Sequence, residues 1–364
     1  MNTFDRHVIY RMLSATALLV VMLVVFFVVL DYLEHIDDFM DRGATWQEVV
    51  GDYYLKYIPE IVRLTSPLAA FLAAIYVTGR LAETLQLVAL RSAGVSLVRI
   101  LRPFMMVAAC LTVALFLFNG WVVPRTQADV LEFQNRYLRN APEPVETRQM
   151  FRQNAPESVL SVGFYDRRDS RGYRITLQDF EQPVRDAPRR VVKRLDAAEM
   201  FWVDSLEVWR MRDVVQRDFD TGHVTRRQAM MDTVLAVLPR DLARTERDAD
   251  RLTIPEAAEY LQALRRSGAD GLGRPLVAYY GKFSYPLALL ILVLIGVPLA
   301  SVRNRGGQAV QFGIGLMIAF AYLSLQKLSE PFGYTETLPP LLVAWLPHIV
   351  FIAVAAGVFA YSRR

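Results

Sequence analysis

From Met12 to Leu30 the chain reads MLSATALLVVMLVVFFVVL, 19 residues between Arg11 and Asp31 without one ionisable side chain. An α-helix rises about 1.5 Å per residue, so a helix of this length crosses the roughly 30 Å hydrocarbon layer of a bilayer. Five more charge-free windows follow: Leu64–Gly79, Pro103–Pro124, Phe283–Val302, Gly306–Gln326 and Thr337–Ser362. They hold 16, 22, 20, 21 and 26 residues. The 16-residue window reaches a span only by taking in Tyr57–Val62, with Glu60 and Arg63 near the interface. A buried helix of a large soluble protein accounts for one such window but not for six. The chain is read as crossing a membrane six times. The first window is long for the apolar part of a cleaved leader, and Asp31-Tyr32-Leu33-Glu34 offers no small-residue cleavage site, so it is expected to be retained.

The remaining charge is concentrated. Of 41 basic and 37 acidic side chains, 52 lie between Arg125 and Lys282. Such segregation excludes a single soluble globule and a mainly disordered chain. A net charge of +4, scattered, does not suit nucleic acid. One cysteine, Cys110, excludes a disulfide framework and a cysteine metal cluster. The organisation is therefore residues 1–125 with three spans, 126–275 as an extracytoplasmic domain with flanking helices, and 276–364 with three more spans. Arginine bias sets the orientation. Arg6, Arg11, Arg80, Arg91, Arg99, Arg102, Arg303, Arg305, Arg363 and Arg364 fall on one side, against Asp5 and Glu83. The opposite short loops hold four basic and ten acidic residues, so both termini are expected to be cytoplasmic.

In the middle block, Ser158–Phe164, Tyr173–Phe180, Val191–Arg194, Ala198–Val203 and Glu207–Val215 alternate as strands, with turn signals at Asp169–Gly172 and Asp220–Gly222. They predict an all-β sandwich or curved half-barrel. The basic run Arg185, Arg189, Arg190, Lys193 and Arg194 reads either as a polyanion site or as a solvated edge. Thr253 and Glu256 form a capping-box pattern before a stripe of Ile254, Ala257, Leu261 and Leu264.

Catalytic signatures are missing from the sequence: no phosphate loop, no paired metal-binding histidines and no nucleophile elbow. His348, after Pro347, is expected to make a helix–helix hydrogen bond. The windows hold no Asp, Glu, Lys or Arg, so no ion relay and no buried charge are expected within the spans. Energy for any transport must then come from another chain. The loop Arg80–Arg102 offers the place for it. Strong helix formers from Arg80 to Gly94 put Leu81, Leu85 and Val88 on one face, with Gly94 as the stop, as suits a helix lying on lipid or seated in a partner's groove.

At this loop the chain resembles the LptF/LptG (YjgP/YjgQ) permeases of lipopolysaccharide export. The likeness rests on four features, and covers essentially the whole chain. They are the three-plus-three layout around a β-rich domain, Gly79-Arg80-Leu81 with Val88-Ala89-Leu90-Arg91-Ser92-Ala93-Gly94, Tyr285-Pro286-Leu287 with Gly296-Val297-Pro298-Leu299, and Phe4-Asp5-Arg6-His7-Val8-Ile9. The resemblance implies a permease subunit of an ABC transporter, with a jellyroll-like periplasmic domain, in the bacterial inner membrane. It implies a heterodimer with a paralogous permease on a dimer of an LptB-like ATPase. Lipopolysaccharide would enter between the spans and pass to an LptC-like bridge protein. The chain would bind no cofactor itself, ATP and magnesium belonging to the ATPase. Arg80, Glu83, Leu85, Gln86, Val88, Arg91 and Gly94 would form the coupling helix. Gln86 stands where the family usually has a glutamate, and keeps hydrogen bonding without charge. Arg125, Arg136 and Arg139 are candidates for lipid phosphates, which a guanidinium fork binds bidentately; ordinary interfacial arginines are the other reading. The first span ends in Glu34 and His35, where some relatives have a lysine. A membrane-anchored sensor or assembly scaffold is the alternative function, and a proton-coupled transporter a third.

Overall fold

The first apolar window lies inside α1, Thr3–Asp41, whose 39 residues reach well past the hydrocarbon layer at both ends. A π-helical turn, Glu48–Tyr54, leads into α2, Leu55–Glu83, so the short second window gains the residues it needed. A short helix α3, Gln86–Ser92, precedes α4, Leu97–Leu117. Then come a second π-helical turn, Phe118–Val122, and α5, Val123–Tyr137. After the β-strands follow α6, Ile254–Arg266, α7, Gly273–Ser284, α8, Leu287–Ser301, α9, Gly307–Tyr334, and α10, Pro340–Ser362. Among the described residues, five helices are long and apolar enough to span, and α7 with α8 makes a sixth, bent by 50°. This computed structural model describes residues 3–138, 150–155, 157–166, 169–181, 190–219, 224–239, 242, 251–266, 272–302 and 307–362. They fall into two units: Met1–Ala141 with Asp250–Ile254 and Leu276–Arg364, and Pro142–Ala249 with Pro255–Pro275.

Prolines shape the helical unit, and distant side chains repair what they break. Pro286 has no N–H, so the carbonyl four residues back, at Lys282, loses its helical donor and α7 bends away from α8. Asn119, buried in the second π-helical turn, donates its Nδ2 to that Lys282 oxygen at 3.3 Å. Pro67 likewise frees the Arg63 carbonyl within α2. The Tyr285 hydroxyl lies 3.5 Å from it and donates to the Leu64 oxygen at 3.2 Å. Each break is thus met by a polar side chain from another part of the bundle, in a setting without water to do it. The bend also draws Lys282 into the fourth span, where it is only 5% exposed. The expectation that no charged residue is buried in the spans fails there, because the span begins before its charge-free window. His348 meets the Tyr322 hydroxyl of α9 at 3.2 Å through Nε2, a helix–helix hydrogen bond as expected.

α8 forms the centre of the bundle and is buried nearly all round. It packs on α2 where Gly296 leaves no room: a Cβ there would meet the Phe71 ring at 2.9 Å. By contrast α1 is poorly covered, with Leu18, Val21, Met22, Val25 and Leu33 exposed. Its two ends are held by polar contacts. Asp5 accepts both Arg99 guanidinium nitrogens, at 2.8 and 3.0 Å, and Asp31 accepts from the Tyr54 hydroxyl at 3.1 Å.

Among its described residues the other unit holds one antiparallel sheet of six strands in chain order: β1 Met150–Ala155, β2 Ser158–Asp166, β3 Arg171–Phe180, β4 Val191–Val203, β5 Val208–Asp218 and β6 Val224–Thr233. Two strand candidates merge into β4, and the edge strands β1 and β6 are additions to the sequence reading. One face carries the core, with Leu160, Val162, Ile175, Leu195, Met200, Trp209 and Met211 buried. Trp209 donates its indole N–H to the Val237 carbonyl at 2.7 Å, so the chain after β6 closes over the core. The other face is a ladder of ion pairs: Arg171 and Arg212 to Glu199, Arg194 and Arg217 to Asp196, and Arg210 to Asp232. Of the basic run, Arg194 is thus paired, Arg190 and Lys193 are exposed, and Arg185 and Arg189 lie outside the described residues. In α6 the predicted stripe is buried at Ala257, Leu261 and Leu264.

Candidate functional site

The segment 80–94 is not one helix. α2 runs on to Glu83, the Thr84 hydroxyl bonds back to the Arg80 carbonyl at 2.8 Å, and Leu85 turns left-handed with φ of 60°. α3 then starts at Gln86. Gly94, with φ of 80°, ends it through paired bonds: its N–H reaches the Arg91 carbonyl and the Val95 N–H the Leu90 carbonyl, each at 3.0 Å. Ser96 caps α4 by accepting from the Arg99 N–H. One short helix, with a cap after it and a cap on the helix that follows, defines this stretch.

The break redistributes the apolar side chains. Leu81, expected to share a face with Leu85 and Val88, is buried in the bundle core together with Leu87. Leu85 and Val88 point outward and stay 50% and 51% exposed, and Val98 of α4 is exposed too. Arg80, Glu83, Gln86, Arg91 and Gly94 are all exposed around them. Arg91 also reaches the Ser301 hydroxyl at the end of α8, at 3.2 Å. Leu85 decides the reading. A left-handed backbone costs a leucine roughly 1–2 kcal/mol, and with half its side chain facing outward, packing within the chain offsets only part of that cost.

At the opposite end of the bundle, Arg125 and Arg136 are exposed on α5, while Arg139 lies outside the described residues. Eleven residues separate the first two, close to three full turns, so they share one side of the helix about 16 Å apart. Arg136 is engaged by Glu132 at 3.3 Å, an exposed pair of small net value. Sequence reasoning missed the structure around them. Phe39, Tyr53, Tyr54, Phe133 and Leu138 form one buried cluster with Val49 and Val130. Tyr53 stacks on Tyr57 and Phe133, and Gln134 bonds the Tyr53 hydroxyl at 3.4 Å. The recurrence Tyr53, Tyr54, Tyr57 was the available signal, since such rings collect at membrane interfaces. His35 bonds back to its own helix at the Asp31 carbonyl, 2.9 Å away. Among the described residues no three His, Cys, Asp or Glu side chains are grouped to hold a metal ion.

A bundle of apolar helices with an inserted antiparallel sheet finds its counterpart in one family. Its model, described as lipopolysaccharide export system permease LptF/LptG, matches residues 6–361. The chain belongs to the LptF/LptG permease family. Among its relatives is the lipopolysaccharide export system permease protein LptG of Escherichia coli (strain K12), 23% identical over 312 residues, covering 84% of this chain and 83% of that protein. The protein of the same name from Haemophilus influenzae is 20% identical over 367 residues, covering 100% and 99%. Members of this family are permeases, and the apolar helices make this one a multi-pass membrane protein.

Proposed function

We propose that this LptF/LptG-family permease draws lipopolysaccharide from the inner membrane and passes it, through its periplasmic β-domain, to an LptC-like bridge protein. In this reading it pairs with a paralogous permease on an LptB-like ATPase dimer, which holds the ATP and magnesium. Both termini and the segment 80–94 are cytoplasmic. The observation that carries the reading is the outward pair Leu85 and Val88, presented on a rigidly capped helix at an energetic cost to the chain itself. Arg80, Glu83, Gln86 and Arg91 surround that pair as polar rim, and Gly94 fixes its end. The uncovered apolar flanks of α1 and α9 suit acyl chains or a second permease, which lysine or carboxylate side chains there would repel. Arg125 and Arg136, on one side of α5, suit phosphates about 16 Å apart, and Arg139 stays a candidate by its place in the sequence.

The test is co-purification. The complex taken from membranes contains an LptB-like ATPase whose hydrolysis rises with lipopolysaccharide. Replacing both Leu85 and Val88 by aspartate removes the ATPase. Unchanged ATPase capture, with cells still viable, favours the membrane-anchored scaffold instead.

A further inference from the structure

Resting on the permease reading, we infer that Gln311 and Ser301 transmit the movement of the docked segment into the α8–α9 hairpin. Neither residue faces the docking surface, and both are buried, Gln311 to 4% and Ser301 to 7% exposure. A primary amide buried in an apolar bundle is costly unless every group finds a partner. The amide nitrogen of Gln311 finds its partners at the end of α8. A helix leaves its last carbonyls unbonded, and Gln311 Nε2 donates to two oxygens there, Val302 at 2.9 Å and Ala300 at 3.3 Å. α9 therefore grips the C-terminal end of α8 directly.

The same amide is pressed against α2. A Cβ on Gly79 would come within 2.8 Å of Gln311 Oε1, and Gln308, one turn earlier, donates to the Tyr76 carbonyl at 3.0 Å. These contacts lie on the last turns of α2, immediately before the break at Leu85. On the far side of that break, Arg91 of α3 donates to Ser301 Oγ at 3.2 Å, and Ser301 in turn donates to the Pro298 carbonyl at 2.7 Å. A chain of polar contacts results, running from α3 through Ser301 to α8, from α8 through Gln311 to α9, and from α9 through Gln308 to the Tyr76 carbonyl of α2. Hydrogen bonds are directional, so a tilt of α3 cannot be taken up by sliding, as it is where apolar side chains touch. The receiving helix carries the movement to the side proposed above for acyl chains or a second permease, since Leu316, Met317 and Phe320 of α9 are exposed on its uncovered flank. Gln311 and Ser301 are positioning residues that act through the docked segment.

The experiment uses the whole complex, with its paired permease and ATPase, in proteoliposomes supplied with lipopolysaccharide and ATP. Gln311→Leu and Ser301→Ala are expected to keep ATPase capture and lipid-free hydrolysis within about twofold of wild type, while lipopolysaccharide released per ATP falls at least about fivefold. Ser301→Thr restores the hydroxyl and the ratio. Hydrogen exchange adds a signature that loss of stability does not produce: on trapping with vanadate, 86–92 changes in wild type and variant alike, but 307–312 changes only in wild type. Should Gln311→Leu fail to assemble, the alanine and threonine variants of Ser301 give the same comparison. An unchanged ratio overturns the inference, as does a Ser301→Thr protein no better than Ser301→Ala. If the wild-type complex captures no ATPase, it is the permease reading that fails.

Discussion

Replacing Leu85 by asparagine separates docking from folding in a single residue. Full burial of a leucine side chain is worth about 2 kcal/mol. Leu85 is 50% exposed, so about 1 kcal/mol is left for a partner to gain by covering it. An asparagine in the same groove forfeits that gain and strands a polar amide, at about 1–3 kcal/mol. The sum, about 2–4 kcal/mol, weakens ATPase binding roughly 30- to 700-fold. Folding responds in the opposite direction. The variant loses about 1 kcal/mol of existing burial but relieves about 1–2 kcal/mol of left-handed strain, which asparagine tolerates well. Titrating ATPase onto the nanodisc-held permease pair measures the first quantity, and thermal unfolding by tryptophan fluorescence the second. Affinity within about threefold of wild type would refute the docking role, and a lower melting temperature accompanying weaker binding would refute the separation of the two.

Three further outcomes follow from the packing. Gly296→Val forces a side chain onto the Phe71 ring, where even a Cβ sits at 2.9 Å, so overpacking of about 1–3 kcal/mol between α2 and α8 should lower the detergent melting temperature. Trp209→Phe leaves the buried Val237 carbonyl without its 2.7 Å donor and opens a void, so limited proteolysis should cut the β-domain at least several-fold faster. The hydrogen bond from Arg210 holds the Asp232 carboxyl below its ordinary value. A depressed folded-state pKa stabilises above the ordinary carboxylate value of about 4 and is lost as pH falls through the depressed one. Melting of the wild type and Arg210→Gln should therefore differ near neutrality and converge in acid, and a difference that persists in acid would exclude this pair as its source.

Much of the architecture is legible in the sequence because the bilayer enforces it residue by residue. A charge in Met12–Leu30 or Thr337–Ser362 has no water to meet, so the windows mark the spans. The same logic misplaced the start of the fourth span, since Lys282 is sheltered by the bend at Pro286 and by contacts from elsewhere in the chain. The break at Leu85 is hidden for a local reason: leucine favours helix, and its left-handed turn runs against that preference. β1 and β6 escaped notice because edge strands such as MFRQNA and VTRRQAMMDT carry polar side chains in place of clean alternation. The pairing of Asn119 with the carbonyl freed by Pro286, and of Gln311 with the end of α8, joins residues no periodicity connects. Of the candidate site, the residues were legible but their grouping was not, since Leu81 turns inward once the helix breaks.

A photo-crosslinker placed in turn at positions 88, 87 and 230 of the assembled complex tests the central claim most directly. Val88 faces outward on α3, Leu87 faces the core one residue away, and Met230 is exposed on β6. The account predicts an ATPase adduct from position 88 and none from 87 or 230. No adduct from 88, or equal adducts from 88 and 230, would contradict it.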